Sequence, residues 1–236
     1  MQLSLKFIIV VLFLASINAS CNKEVDTMTI EGFINDQASL EPVAGVQIFV
    51  HAIKSPPGMG FLGGKRESVG SGTTNSRGYY KIKMKVFKEA ERIELFINGA
   101  NLRAGYVYIQ PIVYLPTLNR HGSNTLNYLL SPTALLKIKF KNLNPVSDTD
   151  FFSFSWYYTG QGLPKGVLQK ESCGTIVQSE AGTFTGKDVC GEYTVDAVAE
   201  SASYIYWTVR KNNVATQHID PIFVRRGIVN TFVLNY

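Results

Sequence analysis

Cysteine and histidine are scarce in this 236-residue chain, which has three of each. The histidines, His51, His121 and His218, are far apart in sequence and none has a cysteine at metal-ligand spacing. The sequence also lacks a Gly-x-Ser-x-Gly elbow, a His-Glu-x-x-His pair and a phosphate-binding glycine loop. It therefore predicts a non-enzymatic protein with no catalytic residues, no metal and no cofactor. A hydrolase assembled from distant residues stays open as an alternative.

Long apolar runs are missing except at the N-terminus. There, Phe7 to Ala15 are apolar and follow a single early charge, Lys6. That run is too short to cross a bilayer as a helix, and small residues follow it up to Cys21. A basic start, a short apolar middle and small residues at the end are typical of a secretory signal peptide, which we predict over residues 1–20.

Cys21 resembles the lipidated cysteine of bacterial lipoproteins, which are cut just before that residue. The resemblance implies an acylated Cys21, a flexible tether over residues 21–26 and lipid anchoring at the cell outer membrane, on its surface or periplasmic face. The polar residues from Asn22 to Asp26 resemble the signal that follows the cysteine in surface lipoproteins of Bacteroidetes-type bacteria. Asn18 departs from the apolar residue that the family prefers, so ordinary cleavage after Ala19 is the alternative.

The odd number of cysteines is explained if lipid occupies Cys21, since Cys173 and Cys190 then pair in an oxidising compartment. Residues 179–183 read as a turn. With Ala181 and Gly182 as a two-residue hairpin loop, Cys173 lies opposite Cys190 at a spacing that suits a disulfide. Two free thiols at a metal site are the rival interpretation, which the lack of neighbouring ligands disfavours.

Helical periodicity is missing from the part that follows the signal, about 215 residues and enough for two domains. Tyrosine (12), phenylalanine (14) and glycine (20) are abundant together with valine, isoleucine and threonine, which predicts an all-β class. The net charge of +5 falls to +4 when Lys6 leaves with the signal. So small a charge on an exported chain does not indicate a nucleic-acid partner.

The first predicted strand runs from Thr27 to Asn35. In the stretch from Val46 to Ile53, and again from Tyr80 to Val86, every second residue is apolar, as in half-buried strands. Gly32, residues 42–48 (PVAGVQI) and residues 73–82 (TTNSRGYYKI) together resemble the carboxypeptidase regulatory-like domain. The resemblance is close to about residue 86 and then fades towards residue 130.

That resemblance implies a seven-stranded transthyretin-like β-sandwich over residues 27–132, without peptidase chemistry. In bacterial lipoproteins and outer-membrane receptors such a domain serves as a folding, docking or interaction unit. The loop at residues 55–64 is longer and more apolar than the family requires. Phe61 and Leu62 are therefore candidate contact residues, although an ordinary insertion is the simpler explanation of the loop.

The second half, residues 133–236, contains about seven short alternating strands and predicts a second β-sandwich in tandem with the first. If Ile205 and Trp207 point inward, Tyr204 and Tyr206 point outward, and Tyr157 faces outward by the same reasoning. Exposed aromatic rings on a sheet suit sugar stacking or protein contact, while cross-strand packing is the simpler explanation.

These observations predict a membrane-anchored, non-catalytic binding or assembly module of the bacterial cell envelope. Its expected partners are the membrane, through the N-terminal lipid, and a glycan or envelope protein. A fimbrial or adhesin-type subunit and an envelope hydrolase are the alternatives. A cleft in which His51 or His218 meets a carboxylate would favour the hydrolase.

Overall fold

A computed structural model describes residues 25–56, 64–99, 105–157, 167–169, 177–179 and 183–236, with the backbone alone at 156–157, 167–169 and 177–179. The predicted signal peptide, Cys21, Cys173 and the loop residues Phe61 and Leu62 lie outside these residues. In the described part of the chain, no helix has the length and hydropathy needed to cross a membrane.

The described residues form β-strands and one 3-10 turn, Leu115–Thr117. In chain order the strands are β1 (Val25–Asp36), β2 (Gln47–Lys54), β3 (Lys65–Thr73), β4 (Tyr79–Phe87), β5 (Arg92–Ile97), β6 (Ile112–Tyr114), β7 (Ser123–Thr125), β8 (Tyr128–Leu130), β9 (Thr133–Lys141), β10 (Phe151–Tyr157), β11 (Val167–Gln169), β12 (Val177–Ser179), β13 (Thr183–Thr185), β14 (Cys190–Val198), β15 (Ser201–Lys211), β16 (Val214–Val224) and β17 (Asn230–Asn235). The predicted all-β class is confirmed.

The first half of the chain packs two sheets face to face. One has the order β4-β1-β7, with β8 also paired to β1, and the other has the order β3-β2-β5-β6. Ile30 lies opposite Ile82 in the β1–β4 ladder, and both side chains are almost completely buried, as are Ile48 and Leu95 from the facing sheet. Alternate positions of β4 are lysines that face solvent, so the alternation seen in the sequence matches the layers of this sandwich.

Two turns from the sequence motif meet at one end of this sandwich. The Thr74 hydroxyl donates to the carbonyl oxygen of Val43 at 2.7 Å and accepts from the N–H of Val46 at 2.9 Å. Gly78 has a positive φ of 71°, and a Cβ there would lie 2.6 Å from the carbonyl oxygen of Ile34. The motif residues therefore join strands at this end of the sandwich.

The second half forms another pair of sheets, ordered β12-β13-β10-β15-β16 and β11-β14-β9-β17. Its core is aromatic: Phe140 lies 4.6 Å from Phe184 and 5.3 Å from Phe152, measured between ring centroids. Phe152 and Phe154 are buried, as their alternation in the sequence predicts. Each half thus has its own core, and the general prediction of β-sandwich domains is confirmed. The division at residue 132 stays a prediction, because separate cores do not establish separate folding.

The predicted hairpin around the cysteines is wrong in two respects. Ser179 pairs with Thr183, so three residues separate the paired positions where the prediction had two. Cys190 does not continue that hairpin but begins β14 in the opposite sheet, where it pairs with Lys141. The one-residue difference in loop length shifts the register by one and changes which side chains face each other. Cys190 is buried, and its disulfide with Cys173 stays a prediction.

A buried carboxylate connects the two halves. Asp36, at the end of β1, is 1% exposed, and its Oδ1 accepts the N–H groups of Ala38 at 2.8 Å and Ser39 at 2.9 Å. Its Oδ2 accepts the Tyr106 hydroxyl at 2.9 Å and lies 2.7 Å from the Arg226 guanidinium, which belongs to the second half. Four donors thus converge on one carboxyl group at the junction.

These donors determine the pKa of Asp36. Burial by itself raises that pKa, but the two backbone N–H groups, Tyr106 and Arg226 outweigh the burial and hold it below its ordinary value. A carboxyl whose pKa is lower in the folded state stabilises the fold above its unfolded pKa. That contribution is lost as the pH falls through the lower, folded value.

Replacing Asp36 by asparagine is expected to lower the free energy of unfolding by about 2 kcal/mol at pH 7, because the ionised acceptor is lost at a buried site. The deficit should shrink as the pH falls below about 4, because Asp36 of the unfolded wild-type chain then binds a proton that the folded carboxylate does not yet bind. Urea unfolding at pH 7 and pH 3 measures both effects.

Asp148→Asn is the matched control, because the Asp148 side chain is 80% exposed and pairs only at the surface with Lys187. Its unfolding free energy should change by less than about 0.5 kcal/mol at either pH. Equal effects of the two substitutions would contradict a stabilising role for Asp36.

Candidate functional site

A concavity of about 430 Å³ lies on the outer face of the β3-β2-β5-β6 sheet. It is lined by Phe49 and His51 from β2, Phe96 from β5, and Gly99 and Tyr108 from the segments that follow β5. Its volume and its mainly aromatic lining are typical of small-ligand sites in proteins. Four rings on a sheet face that does not belong to the core make this the strongest candidate site in the described residues.

The core determines which way these rings point. Ile48 and Val50 are fully buried beneath the sheet, so Phe49 and His51, the residues that alternate with them, must lie on the outer face. Phe96 is the cross-strand partner of Phe49 and is brought to the same face. The site is thus assembled by strand register from positions almost fifty residues apart.

The rings are arranged as a shallow, tilted floor. The His51 ring meets Phe96 edge-on, with centroids 4.9 Å apart and planes at 68°. Phe96 and Tyr108 are stacked at 6.1 Å with planes at 23°. Because His51 and Tyr108 both pack against Phe96, these three rings are held in place before any ligand arrives.

A continuous polar network borders the floor. The Tyr108 hydroxyl donates to Gln110 at 2.8 Å, and the Gln110 amide reaches Glu94 at 3.4 Å. The Glu94 carboxylate lies 3.6 Å from the Arg66 guanidinium, which contacts His51 Nδ1 at 3.2 Å. Carboxamide, carboxylate and guanidinium groups therefore stand side by side at the rim, with donors and acceptors for a polar ligand.

Arg66 is the charged group best placed to meet a ligand. Its side chain is 52% exposed, whereas that of Glu94 is 10% exposed. The guanidinium lies 5.1 Å from the centroid of Phe96, within range of a cation–π interaction. A second guanidinium, Arg92, lies 3.3 Å from Glu94, so the carboxylate is balanced from two sides.

The pKa of His51 is lowered by burial first and by the neighbouring Arg66 second, while Glu94 acts in the opposite direction and is outweighed. Arginine can only donate, so His51 Nδ1 must accept, and the ring is neutral with its proton on Nε2. His51 therefore helps to hold Arg66 in place.

His51, Ser68 and Glu94 occupy neighbouring register positions on β2, β3 and β5, and this order invites comparison with a Ser–His–carboxylate relay. The contacts differ from one. His51 Nδ1 contacts Arg66, and the Glu94 carboxylate is bound by Arg66, Arg92 and Gln110. A relay requires the carboxylate on His Nδ1, so the geometry supports positioning of Arg66 over proton transfer. No group of three histidine, cysteine or acidic residues suited to a metal occurs among the described residues.

The tyrosines singled out in the sequence lie elsewhere, on β10 and β15 of the second sandwich. Tyr204 is 43% exposed and Tyr206 is 40% exposed, while Ile205 between them is buried, as alternation predicts. Tyr157 is the cross-strand partner of Tyr204. Their role in ligand binding stays a prediction. The same holds for Cys21 as a lipidation site, since it lies outside the described residues.

In the described ranges, the contacts of the other two histidines are a ring stack and a surface pair. His218 stacks on Trp207 with centroids 3.9 Å apart, and the Asp220 carboxylate nearby accepts the indole N–H at 2.6 Å. His121 Nε2 lies 3.9 Å from Asp26 at the surface.

Sequence reasoning missed Phe96 and Tyr108 as site residues. Alternation in β2 placed Phe49 and His51 opposite the buried residues, and that signal was available. The partners came from segments where the alternation was weak, so only the register of the folded sheet brings the four rings together.

Comparisons with known proteins assign no family. No protein-family model and no curated protein matches the chain. Among solved structures, the minor pilin GBS52 of Streptococcus agalactiae is 10% identical over 89% of this chain and 94% of its own, with a TM-score of 0.35. A streptococcal ancillary pilin is 14% identical over 89% and 62%, with a TM-score of 0.31. The Bacillus anthracis TIE protein is 11% identical over 89% and 34%, with a TM-score of 0.34.

The chain thus spans about a third of the TIE protein and 62% of the ancillary pilin. With TM-scores between 0.31 and 0.35, these likenesses support no conclusion about function.

Arg66→Gln is expected to raise the pKa of His51 towards the ordinary histidine value, because the nearby positive charge is removed. Titration of the His51 ring by NMR, assigned with a His51→Gln variant, measures the shift.

Glu94→Gln provides the opposite control. Removing the carboxylate should lower the pKa of His51 further, because Glu94 favours the charged ring. Shifts of the same sign in the two variants, or no shift in either, would contradict this arrangement of charges.

Proposed function

We propose that this chain is an exported, non-catalytic adhesive module that binds saccharides through the aromatic concavity of its first sandwich. The observation that carries the proposal is the packed floor of Phe49, His51, Phe96 and Tyr108, bordered by Arg66 and its polar network. Export rests on the predicted signal peptide, and saccharide binding on the chemistry of this site.

The site has both parts that sugar recognition requires. The C–H faces of a pyranose ring are apolar and pack on aromatic faces, while its hydroxyls need donors and acceptors at the edge of the ring. The aromatic faces are those of Phe96 and Tyr108. The donors and acceptors at the edge come from Arg66, Gln110 and the Tyr108 hydroxyl. The rim side chains are already held by one another, so binding costs little side-chain entropy.

A fimbrial or adhesin-type subunit is the second candidate. The observation that favours it is β16, an 11-residue strand at the end of its sheet whose first six residues are all exposed. An open edge of that length is suited to joining another chain. An adhesive module and an assembling subunit are compatible roles, because the concavity and the β16 edge lie in different sandwiches.

The transthyretin-like identity of the first sandwich and the lipid anchor also belong to the proposal. The first is supported by the paired turns around Thr74 and Gly78, where the quoted motifs meet. The second rests on the resemblance of the sequence around Cys21 to bacterial lipoproteins, and with it the assignment to the outer membrane.

Intact mass of the native, membrane-extracted chain, before and after reduction, tests the anchor and the disulfide together. The expected chain begins at Cys21, carries acyl mass and gains two hydrogens on reduction of the Cys173–Cys190 bond. A chain that begins at Ser20 without lipid would contradict the anchor. An unchanged mass on reduction would contradict the disulfide.

Saccharide binding is tested by probing an array of neutral and acidic oligosaccharides with the purified chain and measuring the hits by calorimetry. Phe96→Ala and Tyr108→Ala should each weaken binding about tenfold or more, because each removes a stacking surface worth about 1.4 kcal/mol.

Tyr206→Ala is the control, since Tyr206 is an exposed aromatic residue of the second sandwich. Its affinity should equal that of wild type. No saccharide bound by wild type, or a loss caused by Tyr206→Ala and not by Phe96→Ala, would overturn the assignment of the site.

A further inference from the structure

Strand β16 is the last strand of its sheet in the part of the second sandwich that the structure describes. Among the described residues its ladder partner is β15 alone, from Lys211–Val214 at the turn to Ser201–Val224 at the far end. Residues 214–219 are all exposed, with Val214 at 66% and Ile219 at 61%. A strand this long and this open presents a row of backbone donors and acceptors to another chain.

The hairpin turn fixes which backbone groups face outward. Asn212 and Asn213 both have positive φ angles, 51° and 62°, as in a two-residue type I′ turn. Lys211 and Val214 therefore form a hydrogen-bonded pair, and such pairs recur at every second position along the ladder. The backbone N–H and C=O groups of the intervening residues point to the free edge.

From the register with β15, five residues of β16 direct their backbone groups to the free edge: Ala215, Gln217, Ile219, Pro221 and Phe223. Pro221 has no N–H, and its position in this set leaves the ladder with β15 intact. Pro221 also limits the length of β16 that can pair with another strand. Ala215, Gln217 and Ile219 each offer a backbone donor and an acceptor, whereas Pro221 offers only an acceptor.

The edge lacks the charges that usually prevent strand pairing. Between Val214 and Pro221 the one formally charged side chain is Asp220, whose carboxylate is bound to the Trp207 indole N–H. By contrast, β3 and β4 at the sheet ends of the first sandwich carry Lys65, Arg66 and Glu67, and Lys81, Lys83 and Lys85. Lysines on an edge are a common protection against pairing.

We propose that β16 pairs with β16 of a second copy of this chain, antiparallel, about a two-fold axis at Gln217. This register places Ala215 opposite Ile219 of the second copy, and Gln217 opposite its own counterpart. All three hydrogen-bonded pairs then use residues that have an N–H, and Pro221 falls outside the paired segment.

The sequence of the strand is self-complementary about that axis. Ala215 and Ile219, both apolar, meet on the outer face of the joined sheet. Thr216 and His218, both polar, meet on the opposite face, and the two Gln217 carboxamides can each donate and accept. No like charges face each other, because Asp220 lies opposite Val214 of the second copy.

Other centres fit less well. A two-fold axis at Ile219 sets Pro221 opposite Gln217 of the second copy and loses a donor in two of the pairs. An axis at Ala215 brings Asn213, a turn residue, opposite Gln217. The register centred on Gln217 therefore gives the longest pairing that is free of proline. It does not depend on saccharide binding.

Sedimentation velocity of the exported chain, purified in mild detergent over a range of concentrations, tests the pairing. We expect a concentration-dependent dimer. Gln217→Cys should be joined to its counterpart by a short bismaleimide, because the two Cα atoms are about 5.5 Å apart across a hydrogen-bonded pair. Phe223→Cys should give no more cross-linked dimer than wild type, because its two copies are about 40 Å apart in this register.

Ile219→Lys places a charge inside the paired segment, and Phe223→Lys places one on the same face beyond Pro221. Both side chains are exposed, at 61% and 51%, so neither substitution disturbs the core. Ile219→Lys should raise the dimer dissociation constant at least tenfold, whereas Phe223→Lys should leave it within twofold of wild type.

Three results would overturn the proposal: a chain that stays monomeric at every concentration, a dimer that Ile219→Lys leaves unchanged, or cross-linking through Cys at 223 in preference to 217. Recruitment of an extended segment from a different protein to the β16 edge, with no self-association, would also overturn it in favour of a heterologous partner.

Discussion

Side chains alternate between the two faces along each strand. The aromatic concavity of the first sandwich and the exposed tyrosines of the second both depend on this constraint. Ile48 and Val50 are fully buried, and burial of such a side chain stabilises the fold by about 1.5–3 kcal/mol. A shift of β2 by one residue would exchange them with Phe49 and His51 and forfeit that burial. The core therefore fixes the aromatic floor on the outer face, and the floor persists without a ligand to hold it.

The charges around Glu94 then determine which polar groups beside the aromatic floor can contact a ligand. A carboxylate that is 8% exposed is costly unless it is paired, and guanidinium groups on either side offset that cost. Arg66 is the more exposed of the two, so it can turn part of its donor capacity towards a ligand while Arg92 continues to balance Glu94. A neutral His51 accepts from Arg66 without competing for the carboxylate. The network that stabilises the sheet thus also prepares a polar rim.

Local patterns predicted the strands whose two faces differ strongly. β1, β2 and β4 followed from alternation, and the turns around Thr74 and Gly78 followed from their residue types. Long-range register could not be predicted in the same way. The hairpin before Cys190 was misplaced by one residue, and no local pattern indicated that its second strand ends at Thr185 and that Cys190 begins β14 in the opposite sheet. Phe96 and Tyr108 were missed for the same physical reason, since no local rule specifies which strands pair across the sheet.

The edge strands of the two sandwiches differ in charge. We relate this difference to ligand binding by the first sandwich and self-association through the second. In the first, charged side chains along β3 and β4 add repulsion and desolvation cost to any strand that approaches. Arg66 lies both on the β3 edge and at the rim of the concavity. The same side chain therefore opposes strand pairing and is available to a ligand. In the second, Asp220 is the one formally charged side chain of β16, and the proline lies where it limits pairing without preventing it. Asp36 and Arg226 join the two halves, so a dimer formed through the second sandwich would carry two concavities. Each of two weak sites would then raise the effective concentration of ligand at the other, and a surface of repeated sugars would be held more tightly than a single one.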